Sequence, residues 1–224
     1  MLLEALFGEV GLTEFIVFTI SSLIVIFLTL PVHEFAHAFA ASKCGDNTAK
    51  FTGRLTVNPF AHIDWFGAAC ILCFGFGWAK PVPINSRNLR RGKLDVAITA
   101  FAGPLSNLIL GFISTILMYA FLLLSVKVAF ADYLFLLFMY VAIININLAV
   151  FNLIPIPPLD GSKILAAILP NSVYYKLMLY ERYLSIILFA LLFSDAFSSV
   201  IGRASDFIFG KFFYVVDLIF SIFM

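Results

Sequence analysis

Several long stretches of this chain carry no charge, and their lengths limit what they can be. Phe15 to Val32 contains no Asp, Glu, Lys or Arg, nor do residues 96–126 and 133–159. About 20 apolar helical residues, each rising 1.5 Å, cross a bilayer's hydrocarbon. Spans are therefore predicted over about 13–42, 96–126 and 133–159, and a fourth over about 183–202. A fifth over roughly 204–224 is weaker, because Asp206, Lys211 and Asp217 interrupt it, and it could instead lie along the interface. Within the first span Pro31 removes one backbone hydrogen bond and loosens the helix.

Residues 43–94 have a different pattern. Gly45-Asp46-Asn47-Thr48 reads as a turn, and residues 50–57 show the β-branched alternation of a short strand ending at Asn58-Pro59. Residues 65–79 are apolar but too few for a comfortable span, and Gly67, Gly75 and Gly77 suit a re-entrant loop or hairpin. Lys80-Pro81-Val82-Pro83 returns the chain to the surface. The expected fold is an all-α polytopic membrane protein of about five transmembrane helices. A small membrane-associated β or re-entrant insertion separates the first two, in one integral domain over 1–224 with a core at 13–170 and C-terminal spans at about 176–224.

Composition agrees: 62% of residues are hydrophobic and 12% charged, with a mean hydropathy of +1.05. A soluble core of this length could not hide so much apolar surface. The formal net charge of +1 offers nothing for nucleic acid. Basic residues concentrate in 43–93 and 163–182, leaving Lys127, Arg203 and Lys211 for the other side or the last span. That asymmetry predicts a cytosolic location for residues 43–94 and the amino terminus outside. Met1 to Glu14 carries no Lys or Arg, so no cleavable signal peptide is expected. Cys44, Cys70 and Cys73 read as small buried apolar residues rather than a second metal or redox site.

The candidate chemistry lies where the first apolar run ends, at His33-Glu34-Phe35-Ala36-His37. On a helix, positions i and i+4 share a face, so two imidazoles can reach one zinc ion while Glu34 lies beside an activated water. In a soluble chain this short pattern also arises as an exposed helix face. Here it uses two of only three histidines, in a charge-poor stretch where ionisable groups are costly unless they serve a site. From Phe15, His33 and His37 lie roughly 27 and 33 Å along the helix, toward its exit side.

A catalytic zinc takes three protein ligands and keeps one position open. The third predicted span runs back toward the cytosol and ends in Asn152-Leu153-Ile154-Pro155-Ile156-Pro157-Pro158-Leu159-Asp160-Gly161, where prolines break the helix. Asp160 is open between third ligand and turn residue before Gly161. His62 competes, though its place in a loop before Asp64 favours a surface or supporting position. Asn152 is open between a site contact and an interhelical hydrogen bond alongside Asn145 and Asn147. Asp195, inside the fourth span, is read as interfacial near the outer end.

HEFAHAFAA, GRLTVNPFAHID, FGWAKPVPIN, AGPLSN and FNLIPIPPLDG occur in this order. Together they resemble the site-2 protease family of intramembrane zinc metalloproteases, in its short prokaryotic form without PDZ or CBS domains. The resemblance covers about residues 30–165. It implies a protease domain with one zinc per chain held by His33, His37 and Asp160, Glu34 as general base, and Asn152 contacting substrate or intermediate. The implied partner is a transmembrane protein segment, cleaved in the lipid bilayer of the cell membrane. An unwound substrate is expected to add as a strand to residues 50–57 or 80–85. Two readings from other classes stand beside this one, a non-catalytic metal-binding membrane chaperone or scaffold and a metal transporter.

Overall fold

The computed structural model describes residues 11–74, 77–125, 128–191 and 194–223. Residues 1–10 of the amino-terminal stretch read against a signal peptide lie outside them, as do Gly75, Lys127 and Met224; the Asp195 side chain is likewise outside the description. Every regular element among the described residues is helical. Helix α1 spans Leu12–Cys44, with a π turn at Val25–Thr29 in its middle. Short helices α2 (Thr48–Phe51), α3 (Pro59–His62) and α4 (Trp65–Phe74) follow, and then a 3-10 turn, Ser86–Asn88. The long helices α5 (Lys93–Ser125) and α6 (Phe130–Asn152) lead to α7 (Asp160–Ile168), α8 (Asn171–Leu179), α9 (Glu181–Leu191) and α10 (Asp195–Phe223).

Three of these, α1, α5 and α6, are long and apolar enough to cross a membrane among the described residues. Along α5 the exposed large side chains Ile98, Phe101, Leu105, Ile109, Ile113 and Leu117 recur every three to four positions, leaving one apolar face outward. A chain that turns such a stripe outward while burying Asn107, Thr99 and Asn145 is built for lipid. The core joins α1 and α6 to the insertion: Phe18, Val25, Ile26 and Leu30 pack with Ile144 and Leu148, and Ile63 and Ile71 close the cluster. Gly111 lets α5 approach α6, since a Cβ there would lie 3.1 Å from Ile146 Cγ1.

The turn expected at Gly45 is present. Gly45 adopts φ 114°, and the amides of Gly45 and Asp46 return to the carbonyls of Ser42 and Ala41, closing α1 in a Schellman motif. The strand expected at 50–57 is absent. Asp46 accepts from the Thr48 amide and hydroxyl, which starts a helical turn instead. Gly53 at φ 69° ends that turn, with Gly53 N–H to Lys50 O and Arg54 N–H to Ala49 O. The alternating β-branched residues had no neighbouring strand, and local capping chemistry prevailed.

Of the stretch read as a re-entrant loop or hairpin at 65–79, the described residues form helix α4 and a returning segment from Gly77. Helix α4 and the returning chain touch backbone to backbone, since a Cβ on Gly67 would lie 2.1 Å from the Trp78 carbonyl and one on Gly77 2.1 Å from that of Gly67. The single span expected at 183–202 is divided. Helix α9 ends at Leu191 and Ser194 caps a new helix, its Oγ accepting from the Phe197 amide at 3.4 Å. Helix α10 then runs unbroken through Gly202 and Arg203. Its Asp217, read as an interruption, accepts from Tyr119 Oη of α5 at 2.6 Å, and Phe112 meets Phe212.

After α4, residues 77–85 form no regular element, and Asp46 ties their far end to the turn that closes α1. Its carboxylate is fully buried and accepts from the Asn85 amide at 2.6 Å and Asn88 Nδ2 at 2.9 Å, besides Thr48. Burial works to raise its pKa, but these donors outweigh burial and hold the carboxyl below its usual range. A depressed carboxylate contributes stability above its unfolded pKa, lost as pH falls through the folded value. Asp46→Asn is therefore expected to cost about 2 kcal/mol at neutral pH. In detergent-solubilised thermal unfolding, its gap to wild type should narrow as pH drops below the ordinary carboxylate range.

Candidate metal centre

Pro31 lacks the amide hydrogen that would bond the Phe27 carbonyl, and the π turn at Val25–Thr29 lies immediately upstream of it. The helix continues without a break, and its next turn presents His33, Glu34 and His37, all buried. One ligand atom from each of these three lies within 4.8 Å of the others.

Helix α5 supplies the wall. His37 Nδ1–H donates to the Thr99 carbonyl at 2.7 Å, which leaves the lone pair on Nε2. Gly103 then passes so close that a Cβ would stand 2.3 Å from His37 Nε2 and 2.6 Å from His33 Nε2. Only a residue without a side chain fits between this helix and the rings.

Asp160 arrives from α7. Below α6 the chain turns sharply, with Ile154 N–H to Phe151 O and Leu159 N–H to Ile156 O, and α7 begins at Asp160. Gly161 is helical and lies at no positive φ; its role is proximity, since a Cβ would lie 2.2 Å from the Leu153 carbonyl and 2.4 Å from that of Ile154. Asp-Gly here forms the first turn of a helix in a tight corner, with Ser162 N–H to Leu159 O.

Asp160 Oδ2 stands 3.0 Å from His37 Nε2 and 3.4 Å from His33 Nε2, and the two Nε2 atoms are 3.0 Å apart. Atoms bonded at 2.0–2.2 Å to a tetrahedral zinc lie about 3.3 Å from each other. The triangle therefore has the size of a zinc face. With His37 Nε2 and the carboxylate both acceptors, only His33 could bring a proton, and three lone pairs converge on one point. The donor set suits zinc, and His33 Nδ1 is buried with no hydrogen-bond partner among the described residues.

The site opens on a cavity of about 560 Å³ whose polar lining includes His33, Glu34, His37, Asn152, Asp160 and Lys163. Glu34 Oε2 accepts from the Val82 amide at 2.9 Å, which fixes its carboxylate against the segment that follows α4. Asn152 lines the cavity, and its Nδ2 donates within its own helix to Leu148 O at 2.9 Å. It is Asn145 that bonds across helices, to Thr29 Oγ1 at 3.3 Å. His62 is fully buried, not on the surface, and its Nε2 meets the Thr56 carbonyl at 2.8 Å, closing the loop before α3. Cys44 and Cys70 are buried thiols. Sequence reasoning missed Lys163, whose Nζ lies 3.0 Å from Asp160 Oδ1; spacing i, i+3 on a helix was the available signal. Gly103 entered only as part of AGPLSN, with no role assigned to it.

The family description "Peptidase family M50" matches residues 125–194. A protein of Bacillus subtilis (strain 168) named "Putative zinc metalloprotease YwhC" is 41% identical over 181 residues, covering 80% of this chain and 82% of that protein. Another, from Mycolicibacterium smegmatis (strain ATCC 700084 / mc(2)155) and named "Putative zinc metalloprotease Rip2", is 29% identical over 143 residues, covering 60% of this chain and 51% of that one. No solved structure matches. With four fifths of its length aligned to such a relative and an all-helical membrane architecture around a buried His-Glu-His group, the chain belongs to peptidase family M50, the site-2 protease family of zinc metalloproteases.

Proposed function

We propose that this membrane protein is a zinc-dependent endopeptidase that cuts transmembrane segments of other proteins within or near the bilayer. One observation carries the reading: Asp160 Oδ2, from a helix after α6, lies 3.0 and 3.4 Å from the two α1 imidazole nitrogens, at the wall of a cavity large enough for an extended peptide. His33, His37 and Asp160 would hold the zinc, one per chain. When bound, zinc polarises a carbonyl and makes water acidic enough to attack near neutral pH.

The chain's own residues do the rest. Glu34, with Oε2 held by the Val82 amide, uses its other oxygen to take a proton from the attacking water, and then delivers it to the departing amine. The Thr99 carbonyl fixes the His37 ring so that Nε2 keeps its lone pair. Asn152 has a second amide hydrogen beyond the one given to Leu148, and we assign it to the oxygen on which charge develops. The scissile segment must unwind, because a helix occupies its own carbonyls. Of the two segments considered for receiving it, residues 80–85 are not helical and border the cavity through Pro81, Val82 and Ile84, and Pro81 and Pro83 favour extended backbone at the residues before them.

The orientation proposed from the basic residues puts the site on the cytosolic side, where water reaches it, and the amino terminus outside. The single-domain organisation, the multi-pass placement in the cell membrane and the transmembrane partner belong to the same proposal.

Two substitutions test it. Glu34→Gln is expected to keep stoichiometric zinc while cleavage of a reconstituted transmembrane substrate falls at least about 100-fold; undiminished cleavage would remove the enzyme reading and favour a scaffold. Gly103→Ala places a methyl group where the imidazoles stand, and zinc affinity in chelator competition should fall at least about tenfold with helical content preserved.

A further inference from the structure

Asp160 has two carboxylate oxygens, and the structure separates their duties. Oδ2 faces the imidazoles of His33 and His37. Oδ1 is taken by Lys163 Nζ at 3.0 Å. The two residues are i and i+3 on the first turn of α7, so the ammonium lies on the same side of the helix as the carboxylate it holds. That turn cannot drift: Gly161 packs against the Leu153 and Ile154 carbonyls, Ser162 Oγ donates to Leu159 O, and Lys93 Nζ binds the Leu169 carbonyl that follows the helix. The Asp160 side chain is 8% exposed and that of Lys163 44%. The cation therefore keeps its hydration at the cavity wall while reaching a carboxylate that has little.

A carboxylate can bind a metal ion through one oxygen or two. A catalytic zinc site needs three protein donors and one open place. If Oδ1 were free, it would turn to the ion and fill the place that water must take. A lysine ammonium suits the task of preventing this, because it has three donors, carries a full charge and cannot itself ligate while protonated.

We infer that Lys163 is a positioning residue that engages Asp160 Oδ1, restricts Asp160 to one metal bond and so keeps the fourth coordination place open. This rests on the zinc-site reading above and adds a role for a residue outside the ligand set.

Cobalt substitution tests it, because coordination geometry is read directly in the visible spectrum without any cleavage assay. The full chain is purified in detergent, stripped, and loaded with Co2+ as wild type, Lys163→Gln and Lys163→Arg. Wild type should show the intense bands of four-coordinate cobalt. In Lys163→Gln they should weaken at least about twofold as a second oxygen joins the ion, with cobalt still bound. Lys163→Arg, which can still reach Oδ1, should retain the wild-type spectrum. Superimposable spectra for wild type and Lys163→Gln would overturn this inference and leave the zinc site standing. Complete loss of cobalt from Lys163→Gln, in a protein whose thermal unfolding matches wild type, would also overturn it, since the lysine would then govern affinity and not denticity. Failure of wild type to take up cobalt would defeat the zinc-site reading and this inference together.

Discussion

Two imidazole nitrogens and one carboxylate oxygen held within 3.4 Å of each other repel unless positive charge lies among them. Everything near the site serves to enforce that convergence. Burying such groups in a helical bundle is costly, and here the cost is concentrated at one point instead of being spread over the helices. Two missing side chains permit it: Gly103 brings α5 against the rings, and Gly161 brings α7 under the end of α6. Neither glycine is a flexible hinge, because both sit inside helices at contacts where a methyl group has no room.

The same economy governs the approach from α1. The π turn places one extra residue per turn before the motif, and Pro31 leaves a carbonyl without its usual donor in the same region. Below the site the polar residues are paired across the helices, with Asn145 reaching Thr29 and Ser21 reaching the Leu137 carbonyl. Interhelical bonds of this kind fix the rotation of α1 about its own axis. Rotation is the variable that matters most for a motif presented on one helical face, since a shift of one residue would turn both imidazoles away from α7.

The sequence was most readable where one local rule sufficed. The spacing of His33 and His37 requires only that α1 be helical, and the charge-free runs of α1, α5 and α6 require only length. Asp160 was harder, because Asp-Gly has a commoner local meaning; what brings it beside the imidazoles is the packing of Gly161 on Leu153 and Ile154, and nothing in the pair itself signals that approach. The strand expected at 50–57 failed because Gly53 and Asp46 specify a helical turn locally, whereas alternating β-branched residues specify a strand only beside another strand. At the carboxyl end Ser194-Asp195 was a readable helix start that hydropathy alone concealed. Asp217 looked disruptive because its partner, Tyr119, is 98 residues away.

The segment at 80–85 has an unusual backbone inventory. Lys80 gives its amide hydrogen to His62, Val82 to Glu34 and Asn85 to Asp46, while Pro81 and Pro83 have none to give. Ile84 alone keeps a donor with no assignment among these. Such a ribbon is almost purely a hydrogen-bond acceptor. It therefore cannot zip into a full ladder with a second copy of itself, and any polypeptide laid alongside must bring the amide hydrogens.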